Sequence, residues 1–403
     1  MNISFLGGFF PEQFENSILK KSKLQVQNAA NIFQWAFIKG LEQNLNHPIK
    51  LITALYIGWY PKYYKDIIVR KAYFSNNIAP DNCVMVGFLN FPLIKSIFKY
   101  VNLKSAISEA LTPDKRNVLI VYSIDPVNLK AAIEAKKRNP AIIVCAIITD
   151  CYDYNEDSGL LSKLYLKYIT NPILSKLLEK VDCFVVLTDK MVDFLKLHHK
   201  PWVRIEGIYN EQSNAQNTTI TKNNLTKTAL YTGTLEYPYG IKKLLEAFQL
   251  IKSENINLWI CGGGEGAPLV IKRAQEDQRI KYFGIVSKDK ISELQSKATI
   301  LVNPRNTIGE YNKYSFPSKT IEYLASGTPA LLYKLDGIPA EYFEYCYTIE
   351  DNEVESLAKA IYKTCQLDSN ILYLKGKAAR EFILKNKAAK IQCGKVLNML
   401  SNI

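Results

Sequence analysis

The run INLWICGGGEG, residues 256–266, carries the reading that decides the fold. Its first six residues are apolar on nearly both faces, as in a strand buried in a parallel sheet with helices on each side. The glycines that follow allow a tight turn and close approach of backbone to a ligand, where amides and a helix N-terminus favour an anion. Two more strand-like runs end the same way: TALY (228–231) before Gly233-Thr234, and RIKYF (279–283) before Gly284. A single such loop is an ordinary strand terminator, since glycine enters the left-handed region freely. Three in one stretch, at Gly233 and Thr234, Gly262 and Gly263, and Gly284, point to a shared ligand-binding edge.

Outward from this centre the rhythm continues. Strand-like runs at 299–302 and 330–333 alternate with helical patterns at 241–251 and 290–295, and an earlier series at 2–6, 51–57, 83–88, 117–122, 141–148 and 183–187 repeats the alternation. Between the two series NEQSNAQNTTITKNNLT (210–226) is polar and reads as a linker. The expectation is α/β: two doubly wound domains, at 1–208 and 227–380, with a linker at 209–226 and a C-terminal helix at 381–403 that packs back on the first domain. A chain of 403 residues suits two cores of ordinary size.

Composition narrows the class. Hydrophobic residues at 48% and charged residues at 22% describe a folded globular chain. The 8 cysteines form no C-x-x-C pair and only 3 histidines accompany them, which reads as buried reduced thiols and no metal site. The N-terminus lacks a basic region followed by an apolar one, and no run approaches a membrane span, so a cytoplasmic location is expected. The net charge is +13, and residues 1–138 hold 18 Lys/Arg against 9 Asp/Glu. That bias favours an anionic partner; with no recognisable nucleic-acid module, nucleic acid is not expected.

The densest pattern is NPRNTIGEYNKYSFPSKTIEYLASGTPALLYKLDGIP at 303–339. Ser315, Phe316, Pro317 and Ser318 punctuate before a short helix that stops at Gly327. Lys319 and Glu322, three apart, share a face of that helix, so a cation and a carboxylate reach one place. In isolation such a pair is most often a surface contact that closes a helical turn. This stretch resembles the donor-site signature of retaining glycosyltransferases of family 4, and is similar to polysaccharide-assembly members with NPR and FPSK elements. The likeness extends through YTGTLEYPYGIKKLLEAF (231–248), LWICGGGEG (258–266) and IKYFGIVSKDKISELQSKATILVNPR (280–305). In the first half it rests on Gly7 and Gly8 after the first strand and on VVLTDKMVDFL (185–195).

The resemblance implies two Rossmann-like domains facing each other across a cleft (GT-B), a nucleoside diphosphate sugar as donor, and neither cofactor nor metal. Glu322 matches the second glutamate of the family's E-x7-E motif, which holds the nucleotide ribose. Tyr314 stands where the first glutamate would be, with Glu310 nearby as a substitute. Thr234 and Tyr239 replace the family's loop Arg and Lys, which leaves Arg305 and Lys319 to face the diphosphate. Asp150, at the end of AIIVCAIIT, matches a polar position beside the transferred sugar; capping a loop is the alternative. The implied acceptor is a glycan, expected to be lipid-linked, in cell-surface polysaccharide synthesis; the alternative is a degenerate nucleotide-sugar-binding subunit of another transferase. In segment 91–104, Phe91, Ile94, Phe98 and Val101 lie near one helical face with Lys95, Lys99 and Lys104 beside them. Such a segment either packs on the sheet or meets an anionic membrane at the inner face of the cell membrane.

Overall fold

The computed structural model describes residues 1–23, 28–45, 47–76, 79–92, 94–112, 115–150, 171–210 and 226–403. Residues 211–225, most of the expected linker, and Cys151 lie outside the described residues. The chain divides into two compact units, residues 1–208 with 389–403, and residues 209–388.

The first unit is built on β1 (Asn2–Gly7), β2 (Lys50–Thr53), β3 (Ile68–Val69), β4 (Ala72–Asn76), β5 (Ala79–Met85), β6 (Phe88–Leu89), β7 (Asn117–Tyr122), β8 (Ile143–Ile148), β9 (Cys183–Val186) and β10 (Trp202–Arg204). Eight of them form one sheet in the order β10-β9-β8-β7-β1-β2-β5-β4, and β3 pairs with β6 apart from it. Every residue of β7 and β8 is buried, as a sheet covered on both faces requires. The helix Ala389–Ser401 belongs to this unit. It packs so tightly on the helix Asn28–Leu45 that a Cβ on Gly40 would lie 2.4 Å from the Ala389 carbonyl oxygen, and Cys393 Sγ donates to Phe37 O at 3.3 Å.

The second unit holds β11 (Lys227–Thr232), β12 (Ile256–Cys261), β13 (Ile280–Tyr282), β14 (Ile300–Asn303), β15 (Ala330–Tyr333) and β16 (Tyr347–Ile349) in the order β13-β12-β11-β14-β15-β16, parallel throughout. Both units are doubly wound α/β. The helix expected at 241–251 runs Ile241–Leu250, and the one at 290–295 extends over Lys288–Lys297. The seven described cysteines are buried and none of them forms a disulfide.

Two strand expectations need correction. The run 51–57 is strand only to Thr53. Beyond it the amides of Ala54 and Tyr56 donate to Gly7 O and Gly8 O, but the carbonyls of Ala54, Leu55 and Ile57 accept from Lys99 and Lys95 amines instead of a neighbouring strand. The run 83–88 is strand only to Met85, where β5 ends. Val84 and Met85 pair parallel with Ile52 and Thr53 of β2 as expected, but the other edge of β5 pairs antiparallel with β4, because the connection from Asn76 to Ala79 is far too short for a crossover.

Segment 91–104 contradicts the reading in which its apolar stripe packs on the sheet, and it corrects the placing of Lys95 and Lys99 beside that stripe. The helix Lys95–Ala110 buries Lys99, Leu103, Ala106 and Ile107, while Phe91, Ile94, Ile97, Phe98 and Val101 are exposed. The apolar stripe is not core, and two of the three lysines turn inward. Lys99 Nζ donates to Ala54 O (3.1 Å) and Leu55 O (2.9 Å), and lies 4.6 Å from the Phe88 ring centre; Lys95 Nζ donates to Ile57 O (2.5 Å). Burial pushes the Lys99 amine down to about 7 and the Lys95 amine down to about 8.

Candidate functional site

In a doubly wound sheet the crevice for a ligand opens beyond the carboxyl ends of the strands where their order reverses, since the loops of the two neighbours part to opposite faces there. In the second unit the reversal lies between β11 and β14. The loops after Thr232 and Asn303 therefore frame it, with the β12 and β13 loops alongside.

The glycines have separate physical reasons. Gly233, Gly262 and Gly284 all take positive φ, at 152°, 140° and 69°, where a side chain is strained. A Cβ on Gly262 would also lie 1.8 Å from Gly233 O, so these two loops touch backbone to backbone, whereas one on Gly284 would meet nothing within 4 Å. At Gly263 an added Cβ would press on the Ile285 side chain at 2.8 Å.

Three tyrosines hold the peptide planes of these loops. Tyr231 Oη donates to Thr234 O (2.7 Å) and Tyr282 Oη to Gly262 O (2.8 Å). Tyr323, fully buried, accepts from Thr232 N at 2.9 Å and donates to Thr232 O at 3.1 Å. Burial raises the pKa of Tyr231 and Tyr323, so both remain protonated donors. The loop backbone is thus fixed before a ligand arrives, which is the condition for electrostatic preorganisation.

Lys319 and Glu322 come from the helix Lys319–Ser326 and meet at the crevice. Lys319 Nζ lies 2.7 Å from Glu322 Oε2, and a Cβ built on Gly233 would lie 3.5 Å from Lys319 Cε. The ammonium stem therefore runs beside the β11 loop. The other carboxylate oxygen, Glu322 Oε1, accepts from Gln295 Nε2 at 2.9 Å. Gln295 is buried, and its backbone carbonyl accepts from Thr328 Oγ1 at 2.7 Å. A carboxylate offers about four lone-pair directions, so roughly two remain for a ligand. Sequence reasoning missed Gln295 and the tyrosines; a buried glutamine at a helix end and strand-end tyrosines look like packing until the contacts are known.

Arg305 follows β14 and sits between aromatic rings, 4.9 Å from Tyr311 and 5.8 Å from Tyr239. Its Nε donates to Asn312 Oδ1 (3.0 Å) and its Nη2 to Ser315 Oγ (2.6 Å). Burial lowers its pKa, yet a guanidinium stays charged. Ser315 thus serves Arg305. Phe316 and Pro317 are buried, Phe316 against Tyr342 with ring centres 5.4 Å apart, and Ser318 is exposed at the helix start without a side-chain cap bond. Glu310 is taken by Lys313 at 2.7 Å, and Tyr314 closes the turn Glu310–Lys313 through its amide to Tyr311 O. No group of three or more His, Cys, Asp or Glu able to hold a metal ion occurs among the described residues.

In the first unit the order reverses between β1 and β7. Gly7 and Gly8 form the loop on one side, but the protein itself occupies their surroundings. A Cβ on Gly7 would lie 2.2 Å from Gln34 Oε1, one on Gly8 2.2 Å from the Tyr56 ring, and Gly8 N already donates to Gln34 Oε1 at 2.9 Å. On the other side Ser123 takes a φ of 65°, a strained choice for a non-glycine residue of the kind that gathers at functional sites. Asp150 follows β8 and accepts from Thr149 Oγ1 at 3.1 Å. It is exposed as a residue, but neighbouring protein crowds the carboxyl enough to raise its pKa.

Residues 213–380 match the family described as Glycosyl transferases group 1. The chain is an enzyme of the glycosyltransferase class. Its fold is similar over the full chain to a sucrose-phosphate synthase from Thermosynechococcus elongatus, with a TM-score of 0.66, 13% identity and 100% of each chain covered. It is similar also to a UDP-forming α,α-trehalose-phosphate synthase from Burkholderia xenovorans (0.66, 11%, covering 100% of this chain and 99% of that one). HepE from Anabaena in complex with UDP is a third (0.65, 11%, 100% of each). At such identities the likeness carries the fold, that of transferases with two Rossmann-like domains. A search of curated protein sequences finds no match for the chain.

Proposed function

We propose that the enzyme binds a nucleoside diphosphate sugar at the β11/β14 crevice and transfers the sugar with retention, as a family 4 transferase of the polysaccharide-assembly type. The observation that carries this is the pair Lys319 and Glu322, 2.7 Å apart beside the Gly233 loop. Glu322 accepts hydroxyls of the ribose with its free lone pairs. Lys319, Arg305 and the loop amides around Gly233, Thr234, Gly262, Gly263 and Gly284 face the diphosphate as its charge develops. The bond from the anomeric carbon to the leaving phosphate oxygen breaks, the acceptor hydroxyl oxygen bonds to the same face of that carbon, and its proton passes to the departing phosphate. UDP in HepE, a protein of the same fold, agrees with a nucleoside diphosphate donor.

The acceptor is a saccharide hydroxyl, and the basic first unit fits a lipid-linked one at the inner face of a membrane. No metal takes part, since the sequence has no D-x-D pair to bind a metal diphosphate. Incubating the enzyme with a panel of nucleotide sugars, with and without EDTA, should give turnover with one donor in both conditions and an α-linked product from an α-linked donor. Loss of turnover in EDTA, restored by magnesium or manganese, refutes the metal-free step; an inverted product refutes retention. One observation favours a second reading: Glu310 is held by Lys313 and Tyr314 has no carboxylate. A degenerate subunit would bind donor and turn over none of the panel.

A further inference from the structure

The helix Lys95–Ala110 packs inward through Leu103, Ala106 and Ile107, but its first turns send Lys95 and Lys99 inward and leave an apolar stripe outward. Ile94, Ile97, Phe98 and Val101 recur at the i, i+3, i+4, i+7 spacing of one helical face, and each is exposed by between 37% and 61%, as are Ile67 and Ile68. The two sets adjoin. Ile68 pairs with Leu89 across β3 and β6, Asn90 N donates to Ile67 O at 2.7 Å, and the chain then runs through Phe91 into the helix. Trp59, also exposed, lies at the same edge, because Tyr60 N donates to Asn90 O at 2.8 Å. Scattered exposed apolar residues need no explanation, but a joined group of this size marks a surface that meets something apolar.

The charge around it says what. Lys62 lies 5.9 Å from the Trp59 ring centre and Lys104 4.8 Å from that of Tyr100. Lys65 and Arg70 bracket Ile67 and Ile68 in the chain, the Lys65 amine donating to Lys20 O at 2.9 Å, while Asp66 is engaged by Lys21 at 2.7 Å and Glu109 by Lys71 at 3.5 Å. An apolar centre with a basic rim is complementary to an anionic bilayer, whose headgroups attract the cations while its acyl boundary receives the side chains. We infer that this face of the first unit inserts into an anionic membrane surface through Ile97, Phe98 and Val101, with Lys62, Lys65, Arg70 and Lys104 at the headgroups and Lys95 and Lys99 taking no part. The inference deepens the lipid-linked acceptor reading and rests on it for its purpose, though not for its test.

Full-length protein is floated with vesicles of phosphatidylcholine containing phosphatidylglycerol at low salt, where attraction is least screened, and UDP binding is measured on the same samples. Wild type should float, and should do so far less with phosphatidylcholine alone. The triple variant Ile97→Ser, Phe98→Ser, Val101→Ser should partition about a hundredfold more weakly, since each side chain withdrawn from the interface removes roughly fivefold, with UDP affinity unchanged. Wild type that stays in solution, or a triple variant that floats like it, overturns the inference. So does wild type that self-associates in sedimentation without vesicles while the triple variant is monomeric, because the face then belongs to a second copy. Flotation without any UDP binding would leave the membrane face standing and remove the donor reading instead.

Discussion

Replacing Glu322 by Gln exchanges one heavy atom and removes one charge, so its consequences can be worked through. In the native site Oε2 receives Lys319 and Oε1 receives Gln295. The substituted side chain can offer its carbonyl to only one of these donors, and its amide then faces the other, either the Lys319 ammonium or the Gln295 amide. The ion pair itself is half-exposed, and such pairs contribute about 0–1 kcal/mol, so the fold should lose little and Tm should move by only a few degrees. Ligand binding is a different matter. Each hydrogen bond from a ribose hydroxyl to a charged acceptor is worth about 1.5–3 kcal/mol, and the variant weakens both while leaving one of its neighbours a misplaced donor. A loss of about 2–4 kcal/mol in donor affinity follows, roughly 30- to 1000-fold in Kd. Titration calorimetry with UDP reads it directly, with thermal unfolding of the free protein as the control. A Kd within about twofold of wild type, with the fold intact, would show that the carboxylate does not hold the nucleotide and that Lys319 and Glu322 are only a surface pair closing a helical turn.

Tyr323→Phe removes the hydroxyl shared by Thr232 N and O; leaving that buried amide without its acceptor should cost about 1–3 kcal/mol of stability and weaken UDP binding, both read on one sample, and an unchanged UDP affinity would mean the loop does not depend on the tyrosine. Lys99 gives a pH signature: its folded pKa of about 7 lies below the ordinary value of 10.5, so the unfolded chain binds the extra proton and stability should rise as pH goes from about 7 toward 10. Lys95, at about 8, adds to the same rise, and Asp125 opposes both depressions. Urea unfolding across that range should show the slope in wild type and a shallower one in Lys99→Met; equal slopes would place the titration elsewhere.

The parts of this molecule that are readable in the sequence are those whose signal is local. INLWICGGGEG becomes β12 and its glycine loop almost residue for residue, because burial on both faces demands an apolar run and touching loops demand glycine. The face shared by Lys319 and Glu322 follows from helical spacing alone. What escapes is set by partners distant in the chain. Gln295 becomes part of the site only because two helices bring it to Glu322, 27 residues away, and Tyr323 only because its hydroxyl reaches Thr232 across 91 residues.

Segment 91–104 is the most instructive case, since its pattern is plain in the sequence and its sense is not. An amphipathic stripe states that one face differs from the other; it does not state which faces the protein. The usual assumption, apolar inward, holds when the sheet beneath offers an apolar surface with its own hydrogen bonds closed. Here the chain leaves β2 at Thr53 with the carbonyls of Ala54, Leu55 and Ile57 lacking a strand to receive. A buried carbonyl without a donor costs about as much as the burial of a mid-sized side chain contributes. Two long amines can close all three carbonyls while lying over the Phe88 ring, at 5.5 Å for Lys95 and 4.6 Å for Lys99, and the helix turns to supply them. Its apolar face is then left outward by geometry, which is why that face requires a partner of its own.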